Sequence, residues 1–178
     1  MLITRFLEKY EYVRTLKLFI ECFGNDKEYI AELYGELDGE NECTGTIRTH
    51  EIAVIENENG DILSMVHYKP VAAVLPDGSS INVSYIMDVA TAGTARHNGY
   101  MDRLMKLVMR QLEDNGEPWC FLIAVDKAIY DHLGFVHHWA FNEDEADLLD
   151  ADEGLTECSA AMLISSESFA APDRLLPV

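Results

Sequence analysis

The segment VATAGTARHNGYMDRLMKLVMRQL, residues 89–112, constrains the fold more than any other part of this 178-residue chain. Small and β-branched residues come first, and Gly99 separates them from a stretch whose apolar residues recur at helical spacing. One helical stripe collects Met101, Leu104, Met105, Val108, Met109 and Leu112. A helix that begins at a glycine turn exposes unpaired N–H groups and the positive end of its dipole. The segment therefore predicts a strand, an anion-binding turn and a helix.

The charge around this turn is opposite to that of the chain. With 32 acidic and 13 basic residues the net charge is −19. That balance argues against nucleic acid and membrane surfaces as partners and favours cationic small molecules or basic protein segments. Arg96, Arg103, Lys106 and Arg110 nevertheless lie close together in sequence, which indicates a polyanionic ligand. Two simpler interpretations stay open: the acidity serves only solubility, and the arginines are solvated.

Hydrophobic periodicity and turn residues predict the remaining elements. The Asn59-Gly60 and Asp77-Gly78 dipeptides favour tight turns in an antiparallel meander. Predicted strands are 2–7, 51–57, 62–74, 81–91, 119–125, 135–142 and 158–164, and predicted helices are 9–23, 26–37, 100–115 and a short one containing Tyr130. Asp26 and Asp126 are the expected N-caps of two of these helices, and residues 38–49 are expected to form a loop. Pro70 indicates an edge or a bulge. The expected fold class is α/β in layers, a mixed and mostly antiparallel sheet with helices on both faces, in a single domain over residues 1–178.

Several other functional classes find no support in the sequence. The pattern of a Walker loop is missing, and the turn has one glycine where a dinucleotide fingerprint needs three. The four cysteines have no metal-type spacing, so we expect no metal and reduced thiols in a cytoplasmic protein. Neither a signal peptide nor a membrane span is predicted at the N-terminus. The acidic connection 142–157 is expected to be a flap or a solvated loop.

The turn resembles the cofactor motif of the GNAT superfamily of acyl-CoA N-acyltransferases, Arg/Gln-x-x-Gly-x-Gly/Ala between the fourth strand and the next helix. Arg96, His97, Asn98, Gly99 and Tyr100 stand at its first five positions, and Met101 stands at the sixth, as in the Eis-like branch. AIYDHLGF, residues 128–135, is similar to a second family segment. The resemblance covers roughly residues 1–165. Ile123 and Gly93 depart from the family's usual Asn and Pro.

The resemblance implies a GNAT-like fold and an N-acetyltransferase that uses acetyl-CoA as acyl donor. The CoA pyrophosphate would lie on residues 96–101, and the main chain of Val89, Ala90 and Thr91 would pair with pantetheine. Tyr130 would be the general acid that protonates the leaving thiolate. The alternative for Tyr130 is a core tyrosine with a bonded hydroxyl.

The group that removes the amine proton is left open by the sequence. Asp88 is one candidate base, and it can equally bind a cationic acceptor; His67 and Tyr85 are others on neighbouring strands. The expected acceptor is a small cationic amine or a basic peptide, with the acidic connection at the acceptor side. A homodimer is an open possibility. The rival function is a non-catalytic acyl-CoA-fold protein that binds a ligand or a protein partner.

Overall fold

The computed structural model describes residues 1–35, 50–75, 77–124, 126, 128–137, 159–163 and 174–177. The chain divides into two compact units. The first combines Met1–Tyr68 with Asp88–Val108, and the second combines Lys69–Met87 with Met109–Val178. The prediction of a single domain over 1–178 stays a prediction. The predicted loop at 38–49 and the acidic connection 142–157 lie outside the described residues.

The helices near the N-terminus follow the apolar spacing and the predicted caps. A 3-10 helix, Lys9–Thr15, leads into α1, Leu16–Phe23, where a single α-helix over 9–23 was predicted. The helix α2, Lys27–Tyr34, begins at Asp26, whose Oδ1 accepts hydrogen bonds from the N–H groups of residues 28 and 29 at 3.0 and 3.1 Å. The aspartate N-cap is thus confirmed, since it satisfies two N–H groups that the helix leaves unpaired.

The first unit contains β1, β2, the first half of β3 and the end of β4. Strand β1 is Leu2–Phe6, β2 is Glu51–Asn57, β3 is Ile62–Val74 and β4 is Ser80–Thr91. β2 pairs antiparallel with both β1 and β3. Gly60 has φ +83°, in the left-handed region that the turn between β2 and β3 requires. The predicted meander strands are therefore confirmed to within one residue.

Four charged side chains tie β1, β2 and the 3-10 helix together in the first unit. The Arg5 guanidinium donates to both carboxylate oxygens of Glu11, at 2.6 and 2.7 Å, and to Glu56 at 2.9 Å. Arg14 donates to the same two glutamates and, at 3.1 Å, to the carbonyl of Gly60. Hydrogen bonding to Arg5 lowers the pKa of Glu11 to about 2 from an ordinary value of 4.5. Ionised Glu11 therefore stabilises the folded state of this unit.

We expect Glu11→Gln to destabilise the protein at pH 7 by about 1–3 kcal/mol, the usual range for a hydrogen bond to a charged group. Because folding lowers this pKa, the ionised Glu11 stabilises the fold fully above about pH 5. That contribution is lost as the pH falls from 4.5 towards 2. Melting temperatures of wild type and variant should therefore converge on acidification. Glu58→Gln is the control, because its ion pair with the N-terminus is exposed and should contribute little. A constant difference from pH 7 to pH 3 would contradict the prediction.

The second unit contains the rest of β3 and β4 and the remaining strands. The strand β5 is Trp119–Ile123, β6 is Val136–His137, β7 is Ser159–Leu163 and β8 is Arg174–Pro177. Strand β7 pairs antiparallel with β5 and with β6. A short helix α4, Ala128–Asp131, follows β5, and Asp126 Oδ1 accepts from the N–H of Ala128 at 3.0 Å. The prediction stopped at β7 and missed β8, a four-residue strand without a sequence period long enough to identify it.

The pairing of β3 with its neighbours explains how this strand accommodates a proline. The residues of β3 pair with β2 as far as Tyr68 and with β8 from Val71 onwards. Pro70 falls between the two pairings, where a residue without an N–H group interrupts neither ladder. Pro70 was predicted to mark an edge or a bulge; the structure places it instead at the change of pairing partner.

The amphipathic helix is α3, Tyr100–Asp114. Four of the six residues of its predicted stripe are buried: Leu104, Val108 and Leu112 are fully inaccessible and Met105 nearly so, while Met101 and Met109 are half-buried. The strands before and after it pair in parallel through Ser84–Ile86 of β4 and Cys120–Leu122 of β5. The pairings β1–β2, β2–β3, β3–β8, β5–β7 and β6–β7 are antiparallel, so the predicted mixed, mostly antiparallel sheet is confirmed.

Candidate functional site

The turn before α3 is an exposed loop with a fixed backbone. A short 3-10 helix, Gly93–Ala95, precedes it, and the backbone is left-handed at His97, φ +63°, and at Gly99, φ +69°. The Gly99 carbonyl accepts the N–H of Arg103 at 3.1 Å, so Gly99 caps the helix. The side chain of Asn98 donates to the carbonyls of Ala95 and Arg96 at 3.0 and 3.1 Å. These bonds occupy carbonyl groups of the loop, while residues 96–99 stay open to solvent.

An anion is the ligand that such a loop suits. The first N–H groups of α3 have no acceptor within the helix, and the helix dipole adds partial positive charge. A Cβ built on Gly99 would meet no atom within 4 Å, so a ligand has free access to the backbone there. Arg96 adds a guanidinium group whose Nε reaches the carbonyl of Thr91 at 3.4 Å. The structure therefore gives the predicted phosphate loop, 96–101, an accessible backbone and a positive side chain.

The residues predicted to pair with pantetheine lie at the end of β4. The parallel pairing with β5 covers Ser84–Ile86, and β4 continues to Thr91. Ser64 on β3 donates its hydroxyl to the carbonyl of Ala90 at 2.9 Å and lies 2.8 Å from the Thr91 hydroxyl. Val89 and Thr91 are half-buried. The roles of Val89, Ala90 and Thr91 towards a ligand stay predictions.

Asp88 has the most unusual backbone of the strand residues. Its φ is +48°, a left-handed conformation within a β-strand. Such strain concentrates at functional sites, because the surrounding structure must hold it in place. The Tyr29 hydroxyl lies 3.2 and 3.3 Å from the two carboxylate oxygens. The Asp88 side chain is only 9% exposed. The structure thus presents a nearly buried carboxylate, fixed by a phenol from α2, three residues before the end of β4.

His67, the second candidate base, lies beside Asp88. Its Nδ1 is 3.4 Å from Asp88 Oδ2, and its side chain is fully buried. The ring of His50 stacks on it, with centroids 5.5 Å apart and an interplanar angle of 23°. The ring of Tyr34 approaches edge-on at 6.1 Å. Sequence reasoning named His67 and Asp88 but missed Tyr29, His50 and Tyr34; an aromatic residue on a short helix carries no signal that it will meet a strand 59 positions away.

The other two predicted residues belong to the second unit. Tyr85 stacks on Phe121 with ring centroids 5.0 Å apart and has the Lys69 ammonium over its ring at 5.8 Å. Tyr130 lies on α4, where its ring meets Phe135 edge-on at 5.8 Å. Burial raises the pKa of the Tyr130 phenol. A phenol with a raised pKa stays protonated at neutral pH, as a proton donor must.

A cavity of about 450 Å³ opens in the first unit beside the residues that lead into the loop. Ala92 and Thr94 form part of its wall, together with Lys17 and Glu21 from α1. Glu21 Oε1 accepts the Gly93 N–H at 3.5 Å. The cavity therefore has charged groups of both signs next to the loop.

Neither a metal-binding cluster nor a membrane-spanning helix is found in the part of the chain that the structure describes. Within the described residues, no group of three or more His, Cys, Asp or Glu side chains is arranged to hold a metal ion. None of the helices in the described ranges combines the length and apolar character needed to cross a bilayer.

The chain is similar to known acetyltransferases in sequence pattern and in fold. A family model described as an acetyltransferase (GNAT) domain matches residues 4–137. No curated protein matches the chain. Among solved structures, a GNAT family acetyltransferase from Brucella melitensis in complex with acetyl-CoA is 14% identical, with a TM-score of 0.64 over 100% of this chain and 96% of that one.

Two other solved structures are also similar. The GNAT family N-acetyltransferase YhbS from Escherichia coli, in complex with CoA, is 14% identical with a TM-score of 0.69 over 99% of this chain and 89% of its own. Eis1 from Mycobacterium abscessus is 17% identical with a TM-score of 0.57, over 76% of this chain and 31% of that one. The chain spans about a third of the length of Eis1 and of another structure it matches. Placement in the Eis-like branch stays a prediction.

Proposed function

This chain belongs to the GNAT acetyltransferase domain family, and on that premise we propose that it transfers an acetyl group from acetyl-CoA to an amine. The proposed acceptor is a small cationic amine or a basic side chain of a peptide, because the chain carries a net charge of −19. A cytoplasmic location and a possible homodimer remain predictions from the sequence.

The observation that carries the proposal is the segment from Asp88 to Tyr100. It joins a strained, nearly buried carboxylate to an exposed anion-binding loop within thirteen residues of one chain segment. Acetyl transfer needs both features, since the donor brings a pyrophosphate and the amine must lose a proton. The neighbours solved in complex with acetyl-CoA and CoA support an acyl-CoA ligand for this fold.

The bound donor would supply a thioester carbonyl for attack by the amine. In the proposed mechanism residues 96–101 hold the pyrophosphate through backbone N–H groups, and Val89, Ala90 and Thr91 orient the pantetheine arm through the main chain. Asp88 Oδ accepts the proton that the amine nitrogen loses as its bond to the acetyl carbon forms. Tyr130 donates its phenolic proton to the departing sulfur and regains one from water. These residue roles form part of the proposal.

Amine-stimulated release of CoA thiol tests the function directly. The purified protein would be given acetyl-CoA with ethylamine, spermidine or a lysine-containing peptide, and with glutamate as an anionic amine. We expect release to increase with a cationic amine and to change little with glutamate. If CoA raises the melting temperature while none of these amines accelerates thiol release, the non-catalytic alternative is favoured.

Tyr130→Phe should lower kcat by about 10²-fold, within the range for general acid catalysis. The substitution keeps the ring that packs on Phe135 and removes only the phenolic proton donor. CoA affinity, measured by thermal shift, should change little. Tyr10→Phe is a matched control, because Tyr10 is 81% exposed. Unchanged activity in the Tyr130 variant would indicate that this residue serves packing and does not donate the proton.

A further inference from the structure

The buried imidazole of His67 has an unusual lack of hydrogen bonds. Its side chain has no exposed surface, and within the described part of the chain neither ring nitrogen has a hydrogen-bond partner. The nearest acidic group is Asp88, with 3.4 Å between His67 Nδ1 and Asp88 Oδ2. Buried polar atoms in native proteins are nearly always bonded, so an exception needs an explanation. Bonds at catalytic sites are often long without substrate and shorten in the complex.

The surroundings of His67 hold its ring in one plane. His50 stacks on one face and the edge of Tyr34 packs against it. The Tyr34 hydroxyl lies 2.9 Å from the Thr15 hydroxyl, and Thr15 in turn donates to the carbonyl of Tyr12 at 2.8 Å. A side chain packed in this way keeps its position when a neighbouring group gains or loses a proton. Such rigidity is what a residue that orients another one requires.

The position of Asp88 beside Nδ1 favours one tautomer of His67. With the proton on Nδ1, an N–H dipole points towards the carboxylate; with the proton on Nε2, a lone pair would face it. The hydroxyl of Tyr29 also lies within reach of this carboxylate. A phenol from α2 and an imidazole from β3 thus both lie close to Asp88, whose own backbone is strained.

We propose that His67 is a positioning residue for Asp88: a neutral imidazole, protonated at Nδ1, holds Asp88 Oδ2 and, with Tyr29, fixes the carboxylate in the orientation that accepts the amine proton. The proposal rests on the acetyltransferase function proposed above. In the reaction the proton leaves the amine nitrogen and binds the Asp88 carboxylate, while His67 keeps its own proton throughout.

Two substitutions of similar polarity separate this role from packing. The amide nitrogen of Asn at position 67 can occupy the place of Nδ1, whereas that of Gln reaches the place of Nε2. With acetyl-CoA and the amine of the panel that wild type acetylates fastest, His67→Gln should lower kcat/KM about 10- to 100-fold. His67→Asn should retain several-fold more activity than His67→Gln. If the role were packing, the larger Gln would be the better substitute, because Asn leaves more empty volume. Activity of the Gln variant equal to or above that of the Asn variant would overturn the proposal.

A double-mutant comparison tests whether His67 acts through Asp88. In an Asp88→Asn background the difference between His67→Asn and His67→Gln should disappear, since neither then has a carboxylate to orient. Leu112→Ala is the control: it removes a buried side chain of α3 in the second unit, so its effect should be the same in the wild-type and the Asp88→Asn backgrounds. Full additivity between position 67 and Asp88 would contradict the proposal. Thiol release by wild type tests the enzyme function independently, so the two failures are distinguishable.

The tautomer can be measured in the wild-type protein, which removes any dependence on variants that fold poorly. Imidazole nitrogen chemical shifts in a ¹⁵N-labelled sample should show His67 protonated at Nδ1 and not at Nε2, with the resonance assigned by its loss in His67→Asn. Asp88→Asn should shift this resonance more than that of His50. An Nε2–H tautomer would overturn the proposal, because a lone pair would then face the carboxylate.

Discussion

Gly99→Asp is expected to abolish the rise in melting temperature that CoA gives the wild-type protein. A ligand that binds only the folded state stabilises it by about 2.7 kcal/mol at a hundredfold excess over its Kd. The new carboxylate would lie at the N-terminal end of α3, where the pyrophosphate is proposed to bind, and would repel it. Backbone strain is limited, because Asp tolerates the left-handed region better than most residues, and a Cβ there meets no atom within 4 Å. Thermal shift with and without CoA is the measurement.

Two matched variants isolate the charge at this position. Gly99→Asn adds a side chain of the same size at the same φ of +69° without the negative charge, so it should weaken CoA binding less than Gly99→Asp. Gly78→Asp places the same residue at a second open glycine, with φ +81°, in the turn between β3 and β4. That variant should keep the CoA shift. If the Gly99→Asp protein folds and CoA raises its melting temperature as much as that of wild type, the loop is not part of the CoA-binding site.

Asp88→Asn is expected to lower kcat/KM for the amine by about 10²- to 10⁴-fold, the range found for general acid–base groups. The Asn side chain has the same shape, still accepts a hydrogen bond from Tyr29, and is among the residues that best tolerate a left-handed backbone at φ +48°. The variant should therefore fold and bind CoA normally. An alanine at this position would confound the result with backbone strain.

Steady-state kinetics distinguish the two roles considered for Asp88. Loss in kcat indicates a group that acts in the transition state, whereas a raised KM for the amine at unchanged kcat indicates an anchor for the ammonium group. Asp77→Asn, in the exposed turn before β4, serves as a control for removing one negative charge from the chain. If Asp88→Asn is as active as wild type, the proton acceptor must be another group.

Local patterns identified most of the elements. The 3.6-residue stripe of α3, the alternating strands around Gly60 and Gly78, and the caps at Asp26 and Asp126 all depend on residues near each other in sequence. Such patterns can be recognised without knowledge of the fold, because helix faces and turn conformations depend on a few neighbouring residues. The prediction that the loop before α3 binds an anion rests on the same kind of local pattern.

What the sequence determined by itself was therefore the list of elements, the glycine turn at the start of α3 and, through the resemblance of that turn, the family. Only the tertiary structure decided which side chains meet. Tyr29 and Asp88 are 59 positions apart in sequence. His67 lies on β3 and Asp88 on β4, and the fold of the first unit places these two side chains next to each other. A shift of one residue in either strand would turn these side chains to the opposite face. Strand register depends on the packing of the whole unit, and no short segment encodes it.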